Sequence, residues 1–149
     1  MLIKYTTNNL KQTQEIGKEL ASEILNYKNN NSAIVVGLSG NLGAGKTTFL
    51  QGFAKGLGIK EKILSPTFVI QKRFSVKKKN FINFYHIDCY RLKSFKDILE
   101  LDYKEIIKNP KNIIAIEWPE KMRKLLPKNT ILIKFKYTNK NNREISLKM

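Results

Sequence analysis

The residues with the clearest chemical meaning form a glycine-rich loop in the first third of the chain. Gly40, Gly45, Lys46 and Thr47 match the spacing G-x-x-x-x-G-K-[ST], directly after the apolar run at residues 33–38. Glycines let backbone N–H groups converge on phosphate oxygens, and a helix that begins at such a loop adds a positive partial charge. The lysine reaches the β- and γ-phosphates, and the threonine hydroxyl is a ligand for Mg²⁺. The motif therefore predicts a site for a nucleoside triphosphate with magnesium.

The strand before the loop and the helical pattern after it favour this interpretation over the alternative, a glycine-rich turn that binds nothing. Lys46 is counted among the catalytic residues as well as the binding residues. The loop residues predicted to bind the nucleotide are Gly43, Ala44, Gly45, Lys46, Thr47 and Thr48.

Two carboxylates are candidates for the acid that a P-loop enzyme needs near its metal, usually at the end of a neighbouring buried strand. Glu117 ends the apolar run 113–116, whereas Asp88 ends the more mixed run 81–87. Because its strand is the better buried of the two, Glu117 is assigned to the metal together with Thr47, directly or through water. Asp88 is left for a catalytic or switch role, orienting the attacking water or a water on the metal. A surface ion pair is the alternative for both, but an acid directly after an apolar run needs a partner.

Five other residues carry weaker signals. His86, the sole histidine, is predicted to be a hydrogen-bonded structural residue rather than a base, and Cys89 an inert thiol. Trp118 is either core or an aromatic lid near the nucleotide. Arg91 either contacts phosphate or forms a surface ion pair. Thr67 lies where a switch-like loop could sense the γ-phosphate, with an ordinary turn as the alternative.

Length and missing motifs exclude several classes of nucleotide-binding protein. At 149 residues the chain suits one domain, and motor-type P-loop proteins need more. Residues 139–142 begin like the guanine-reading motif Asn-Lys-x-Asp but end in Asn instead of Asp, so adenine is favoured over guanine as the base. No transporter signature and no arginine-rich kinase lid is present. The lone cysteine, together with the lack of a secretory segment or membrane-length apolar run, predicts a cytosolic protein without membrane contact.

A net charge of +16 invites a nucleic-acid partner. The excess is mostly lysine, however, and Lys, Asn and Ile are abundant together. All three have A/T-rich codons, so genome composition is favoured over direct RNA contact as its cause. The run at residues 77–80 is predicted to be a solvated turn.

Hydrophobic periodicity predicts an α/β fold: a single P-loop NTPase domain, residues 1–149, with a central mixed β-sheet flanked by helices and β-hairpins in the middle and at the C-terminus. Gly52 and Gly56 fall inside the helix after the loop, which indicates close packing there. Strands are predicted at residues 2–5, 33–38, 68–74, 81–88 and 112–117, with a terminal hairpin around 138–142; helices at 9–27, after the loop to 57, within 95–107 and at 120–125.

Four ordered motifs together resemble one family. They occupy residues 40–49, 65–68, 86–92 and 116–120, and the match spans essentially the whole chain. The chain is similar to the bacterial ATPase of tRNA threonylcarbamoyladenosine synthesis, the TsaE family.

That resemblance implies an ATPase, with ATP and Mg²⁺ as cofactors, that supports turnover of a complex modifying adenosine 37 of tRNAs reading codons that begin with A. Its implied protein partners are the threonylcarbamoyl transferase and that enzyme's inactive paralogue, with tRNA contacted, if at all, through the complex. The resemblance implies that Asp88 is needed for hydrolysis and that Thr47 and Glu117 bind Mg²⁺. It also implies that Trp118 lies beside the nucleotide. It also puts the adenine pocket near the start of the first helix. Two alternatives stay open: a small-molecule kinase and a nucleotide-gated protein-binding module.

Overall fold

Seven strands form one mixed sheet in the computed structural model, which describes residues 1–28, 31–41, 43–64, 71–78, 80–139 and 142–149. Their order across the sheet is β1-β7-β6-β2-β5-β4-β3. The four central strands, β6, β2, β5 and β4, run parallel, and the remaining pairings are antiparallel. The strands are β1 Leu2–Thr7, β2 Ile34–Ser39, β3 Gln71–Lys78, β4 Phe81–Asp88, β5 Asn112–Glu117, β6 Ile131–Asn139 and β7 Asn142–Lys148.

Helices cover the two faces of the sheet unequally. One core cluster joins α1 and α2 to the sheet, and a second joins α3 and α4 to β2, β4 and β5 only. In the described part of the chain, no helix is long and apolar enough to cross a bilayer. The helices are α1 Leu10–Asn26, α2 Lys46–Gly56, α3 Lys96–Leu99, α4 Tyr103–Lys108 and a 3₁₀ helix, Pro119–Leu125.

The mixed sheet, its two hairpins and its flanking helices confirm the sequence prediction at this level. Asn9 caps α1, since its side chain accepts a hydrogen bond from the Gln12 N–H at 2.9 Å. The predicted turn at residues 77–80 is wrong in part, because Lys77 and Lys78 belong to β3. A register shift between Ser75 and Lys78 lets the strand continue through the basic run while still pairing with β4. The beginning of the strand predicted at 68–74, and Thr67 before it, lie outside the described residues.

The two ends of the chain lie side by side at one edge of the sheet. β1 pairs antiparallel with β7 along its whole length, with Leu2 opposite Lys148 and Thr7 opposite Arg143. The Met149 N–H donates to the Met1 carbonyl at 3.2 Å. The first strand therefore depends on the last for its hydrogen bonds.

Glycines set the distance between α1 and α2. A Cβ added to Gly52 would collide with the backbone carbonyl of Gln14, and one added to Gly17 would collide with the carbonyl of Phe49. Backbone cannot step aside as a side-chain end can, so these positions require glycine for close approach of the two helices.

We expect Gly52→Ala to lower the melting temperature by roughly 4–8 °C, since a clash with backbone puts the overpacking cost at about 3 kcal/mol, which exceeds the gain in helix propensity of about 1 kcal/mol by about 2 kcal/mol. Thermal unfolding followed by circular dichroism measures the effect. Lys55→Ala, at an exposed position of the same helix, is the matched control and should shift the transition little. An unchanged or raised melting temperature in Gly52→Ala would contradict the packing described.

Candidate nucleotide site

The candidate residues meet at the carboxyl edge of the parallel strands. In the strand register Glu117 lies opposite Leu38 of β2 on one side and opposite Asp88 of β4 on the other. The loop after β2 leads into α2, whose first residue is Lys46. Ligands of open α/β sheets bind at this edge, between the ends of adjacent strands. The fold therefore brings the loop and both predicted acids to one place.

The loop takes a backbone path that only glycine follows easily. Gly40, Gly43 and Gly45 have φ angles of 146°, 79° and 108°. At Gly40 a Cβ would also lie 2.6 Å from the Phe135 carbonyl oxygen. Gly45 is the N-cap of α2 and has no side chain to satisfy the N–H groups of the first turn. Those N–H groups are donors suited to a phosphate.

Lys46 is buried at the start of α2, and its ammonium is held by two groups. Nζ donates a hydrogen bond to the Gly40 carbonyl at 2.5 Å and lies 3.8 Å from the centre of the Trp118 ring. Desolvation lowers the pKa of Lys46, although the nearby charges of Glu117 and Asp88 oppose the shift. A phosphate at the loop would supply the counter-charge that this partly desolvated ammonium lacks.

Glu117 has the partner that its position required. The ring nitrogen Nε2 of His86 lies 2.7 Å from Oε2 of Glu117, and both residues are buried, at 1% and 3% exposed. An ionised carboxylate only accepts hydrogen bonds, so the histidine N–H donates. The other oxygen, Oε1, receives no hydrogen bond from the described residues. His86 is thus a hydrogen-bonded structural residue, as predicted, and it fixes the orientation of the carboxylate.

Asp88 is the more accessible of the two acids. Oδ1 accepts a hydrogen bond from the Tyr90 N–H at 3.0 Å. Burial raises the pKa of Asp88, and the charge of Glu117 contributes in the same direction, while the Tyr90 hydrogen bond opposes it. Two neighbouring carboxylates are hard oxygen donors suited to Mg²⁺, as is the hydroxyl of Thr47, the second residue of α2.

The residues present therefore fit a magnesium ion held jointly with phosphate and water. Among the described residues no group of three or more His, Cys, Asp or Glu side chains forms a metal site by itself. Mg²⁺ in nucleotide sites takes one or two carboxylates and completes its shell with waters and phosphate oxygens.

A cavity of about 110 Å³ lies beside the loop, where the first helix begins. Its walls combine amides, hydroxyls, one leucine and the guanidinium of Arg143, which lies 4.2 Å from the Tyr137 ring centre. Arg143 reaches this place because β7 pairs with β1, and no local sequence pattern indicates such a long-range pairing. The lining residues are Asn8, Asn9, Leu10, Thr13, Gly45, Thr48 and Arg143.

The residues with weaker sequence signals lie in different surroundings. The Tyr90 ring packs on Trp118, with ring centres 5.2 Å apart, so Trp118 is part of the site wall. Cys89 is fully buried, burial raises its pKa to about 12, and Sγ contacts Met122 Sδ at 3.6 Å, which makes it a structural thiol. Arg91 is exposed and engaged in an interaction of its own. Thr67 lies outside the described residues.

Comparison with known proteins gives a consistent result. The sequence model of the family described as threonylcarbamoyl adenosine biosynthesis protein TsaE matches residues 7–145. The tRNA threonylcarbamoyladenosine biosynthesis protein TsaE of Rickettsia typhi is 38% identical over 145 residues, covering 97% of this chain and 93% of that protein. Its counterpart from Bacillus subtilis is 34% identical over 144 residues, covering 97% and 84%. The crystal structure of Bacillus subtilis YdiB superposes with a TM-score of 0.70 at 29% identity, covering 99% of this chain and 84% of that one.

Proposed function

Because the chain belongs to the TsaE family, whose members serve tRNA threonylcarbamoyladenosine biosynthesis, we propose that it is the Mg²⁺-dependent ATPase of that process. In this proposal residues 1–149 form one P-loop NTPase domain. The observation that carries it is the meeting of Lys46, Asp88 and Glu117 behind the glycine loop, at the carboxyl edge of three parallel strands.

Each side chain has a role that its surroundings support. Lys46 and the N–H groups of residues 43–48 bind the phosphates, and Trp118 borders them. Thr47 and Glu117 hold the magnesium ion, whose charge offsets the negative charge on the transferred phosphoryl group. His86 keeps Glu117 in position. Asp88, with its raised pKa and its place at the open end of β4, orients the attacking water.

The cavity beside the loop takes the adenine base. It adjoins Gly45 and Thr48, so a nucleotide whose phosphates lie on the loop extends directly into it. The amide side chains of Asn8 and Asn9 supply donors and acceptors for the base edge, and Leu10 supplies an apolar surface. Arg143 supplies a planar cation that stacks on aromatic rings.

The ATP cycle supports repeated turnover of a cytosolic complex with the threonylcarbamoyl transferase and its inactive paralogue, which modifies adenosine 37 of tRNAs that read codons beginning with A. We expect intrinsic hydrolysis by the chain alone to be weak.

Reconstitution tests this function. Purified transferase, paralogue and unmodified tRNA, supplied with threonylcarbamoyl donor and ATP, should form modified tRNA over many turnovers only when this chain is present. The matched control replaces it with Asp88→Asn, which should not restore turnover. Equal synthesis without the chain would refute the proposal, and ATP consumption stimulated by a small metabolite instead of by the partner proteins would indicate a kinase. Full support of turnover by an Asp88→Asn variant that no longer hydrolyses ATP would identify a nucleotide-gated binding module.

A further inference from the structure

Strands β1, β7 and β6 carry an exposed basic surface on one face of the sheet. Strands β1, β7 and β6 bury alternate residues against α1 and α2 and turn the others outward. The outward side chains of Lys4, Lys134, Lys136 and Lys148 are exposed, as are Leu2, Leu132 and Thr6. We call these residues, with Ser146 and Glu144 between them, the open face.

The 3₁₀ helix lies on the same side of the sheet as the open face. A Cβ added to Gly37 of β2 would lie 3.2 Å from Leu132 on one strand and 3.2 Å from Pro119 of the 3₁₀ helix. Leu132 and Pro119 therefore share a face and adjoin each other. Because this short helix exposes Lys121, Arg123 and Lys124, the basic surface extends past the edge of β6.

Composition alone does not account for this arrangement. An A/T-rich genome adds lysine throughout a chain, yet α1 has two lysines and three glutamates, and residues 93–108 have four bases and four acids. Residues 119–149, in contrast, have nine bases and only two acids. Strand β3 is also basic, but it lies at the opposite edge of the sheet. The excess charge is thus concentrated in particular segments of the chain, which include β3, the 3₁₀ helix, β6 and β7.

The charges of the open face are neutralised only in part within the described part of the chain, where Glu144 lies opposite Lys136 in the strand register. Glu144 is its only acid, and none of its four lysines belongs to an ion pair there. Lys4 and Lys134 both lie opposite Ser146, one on each side of β7. Strand geometry spaces these charges by about 7 Å along a strand and about 10 Å across two strands, a flat lattice of point charges.

We propose that the open face binds the sugar–phosphate backbone of RNA, and that the RNA is the tRNA substrate. The lysines without an ion pair indicate that the partner is an anion, and the choice of tRNA rests on the proposed function. Lysine ammonium groups contact phosphates as point charges without reading bases, so the surface recognises backbone shape and not sequence. An anionic membrane fits less well, because a flat strand face has no amphipathic helix to insert.

Binding of an unmodified tRNA transcript to the full-length chain, measured by fluorescence anisotropy at several salt concentrations, tests this. Lys134→Gln with Lys136→Gln should weaken binding about 10-fold and lower the slope of log K against log[salt] by between about 1 and 2. The control, Lys11→Gln with Lys18→Gln, removes the same charge from exposed positions on α1 and should change neither quantity.

Several outcomes would overturn the inference. These are an absence of tRNA binding, an equal loss in the two double variants, and a loss caused instead by Lys77→Gln with Lys78→Gln on β3. Binding of phosphatidylglycerol vesicles or polyglutamate that matches tRNA in strength and in dependence on Lys134 and Lys136 would also overturn it. ATP binding, measured in parallel by calorimetry, should be unaffected by Lys134→Gln with Lys136→Gln. Failure of wild-type protein to bind ATP would refute the proposed function while leaving the RNA result to be judged separately.

Discussion

Replacing Lys46 with alanine is expected to raise the dissociation constant for ATP at least about 100-fold, a loss of about 3 kcal/mol, as expected when a hydrogen bond to a charged group is removed. The ammonium is already at the loop, 2.5 Å from the Gly40 carbonyl, so ATP recruits it without a large rearrangement. Isothermal titration calorimetry is the appropriate measurement. Trp118 fluorescence would be ambiguous for this variant, since the lysine lies against that ring and its removal changes the signal before ATP is added.

Two further variants separate charge from packing. Lys46→Met keeps an unbranched apolar stem against Trp118 and should lose ATP as completely as Lys46→Ala. Lys55→Ala removes a lysine from the exposed end of the same helix and should leave affinity within about twofold. Affinity retained by Lys46→Ala, with a melting temperature like that of wild type, would show that phosphate binding does not depend on this lysine.

Asp88→Asn is expected to lower ATP hydrolysis at least about 100-fold while leaving ATP affinity within about threefold, because a positioned carboxylate contributes to the chemical step and less to ground-state binding. The asparagine keeps an oxygen that can accept the Tyr90 N–H, so the local backbone is preserved. Partner-stimulated hydrolysis and calorimetric ATP binding give the two quantities. The hypothesis fails if hydrolysis survives, or if affinity falls in proportion to it.

The same variant should be more stable than wild type near neutral pH. Burial raises the pKa of Asp88, so folding favours its protonated form and the charged form costs stability above that raised pKa. We expect the melting temperature of Asp88→Asn to exceed wild type by about 1–3 °C at pH 7–8, equivalent to under about 1 kcal/mol. The difference should vanish as the pH falls toward the ordinary carboxyl pKa of 3.8.

Asp102→Asn is the control for the stability measurement. It makes the same chemical change at an exposed residue whose left-handed backbone, at φ 58°, also suits asparagine. Its melting temperature should follow wild type across the pH range. A difference for Asp88→Asn that persists at acid pH would show that the gain comes from packing rather than from the charge.

Local patterns in the sequence were sufficient to predict the central strands, the loop and the acids. Glu117 and Asp88 are each the last residue of a strand, and the carboxyl ends of parallel strands share an edge, so their meeting with Lys46 could be predicted. The sequence predicted less about the partner of Glu117. A buried acid requires a hydrogen-bonding partner, but only the register of β4 on β5 identifies that partner as His86.

Features that depend on distant pairing could not be predicted. Arg143 enters the cavity because β7 lies against β1, and nothing near either strand in sequence indicates that neighbour. The open face could not be predicted from the sequence for the same reason. Alternation predicts which residues of β6 and β7 point together. Only the three-dimensional fold shows that, among the described residues, α3 and α4 cover β2, β4 and β5 but leave this side of β6 and β7 exposed, and that Lys4 joins them.

The pairing of β1 with β7 also limits when the protein can finish folding during its synthesis. β1 is synthesised before β7, which is its only strand neighbour among the described residues, so this contact closes a long loop of chain. The cavity wall draws Asn8 and Asn9 from one end of the polypeptide and Arg143 from the other. A nascent chain can thus carry a complete glycine-rich loop and still lack the cavity that we propose for the base. In the function proposed here, full nucleotide affinity therefore requires that β7 has been synthesised and has paired with β1.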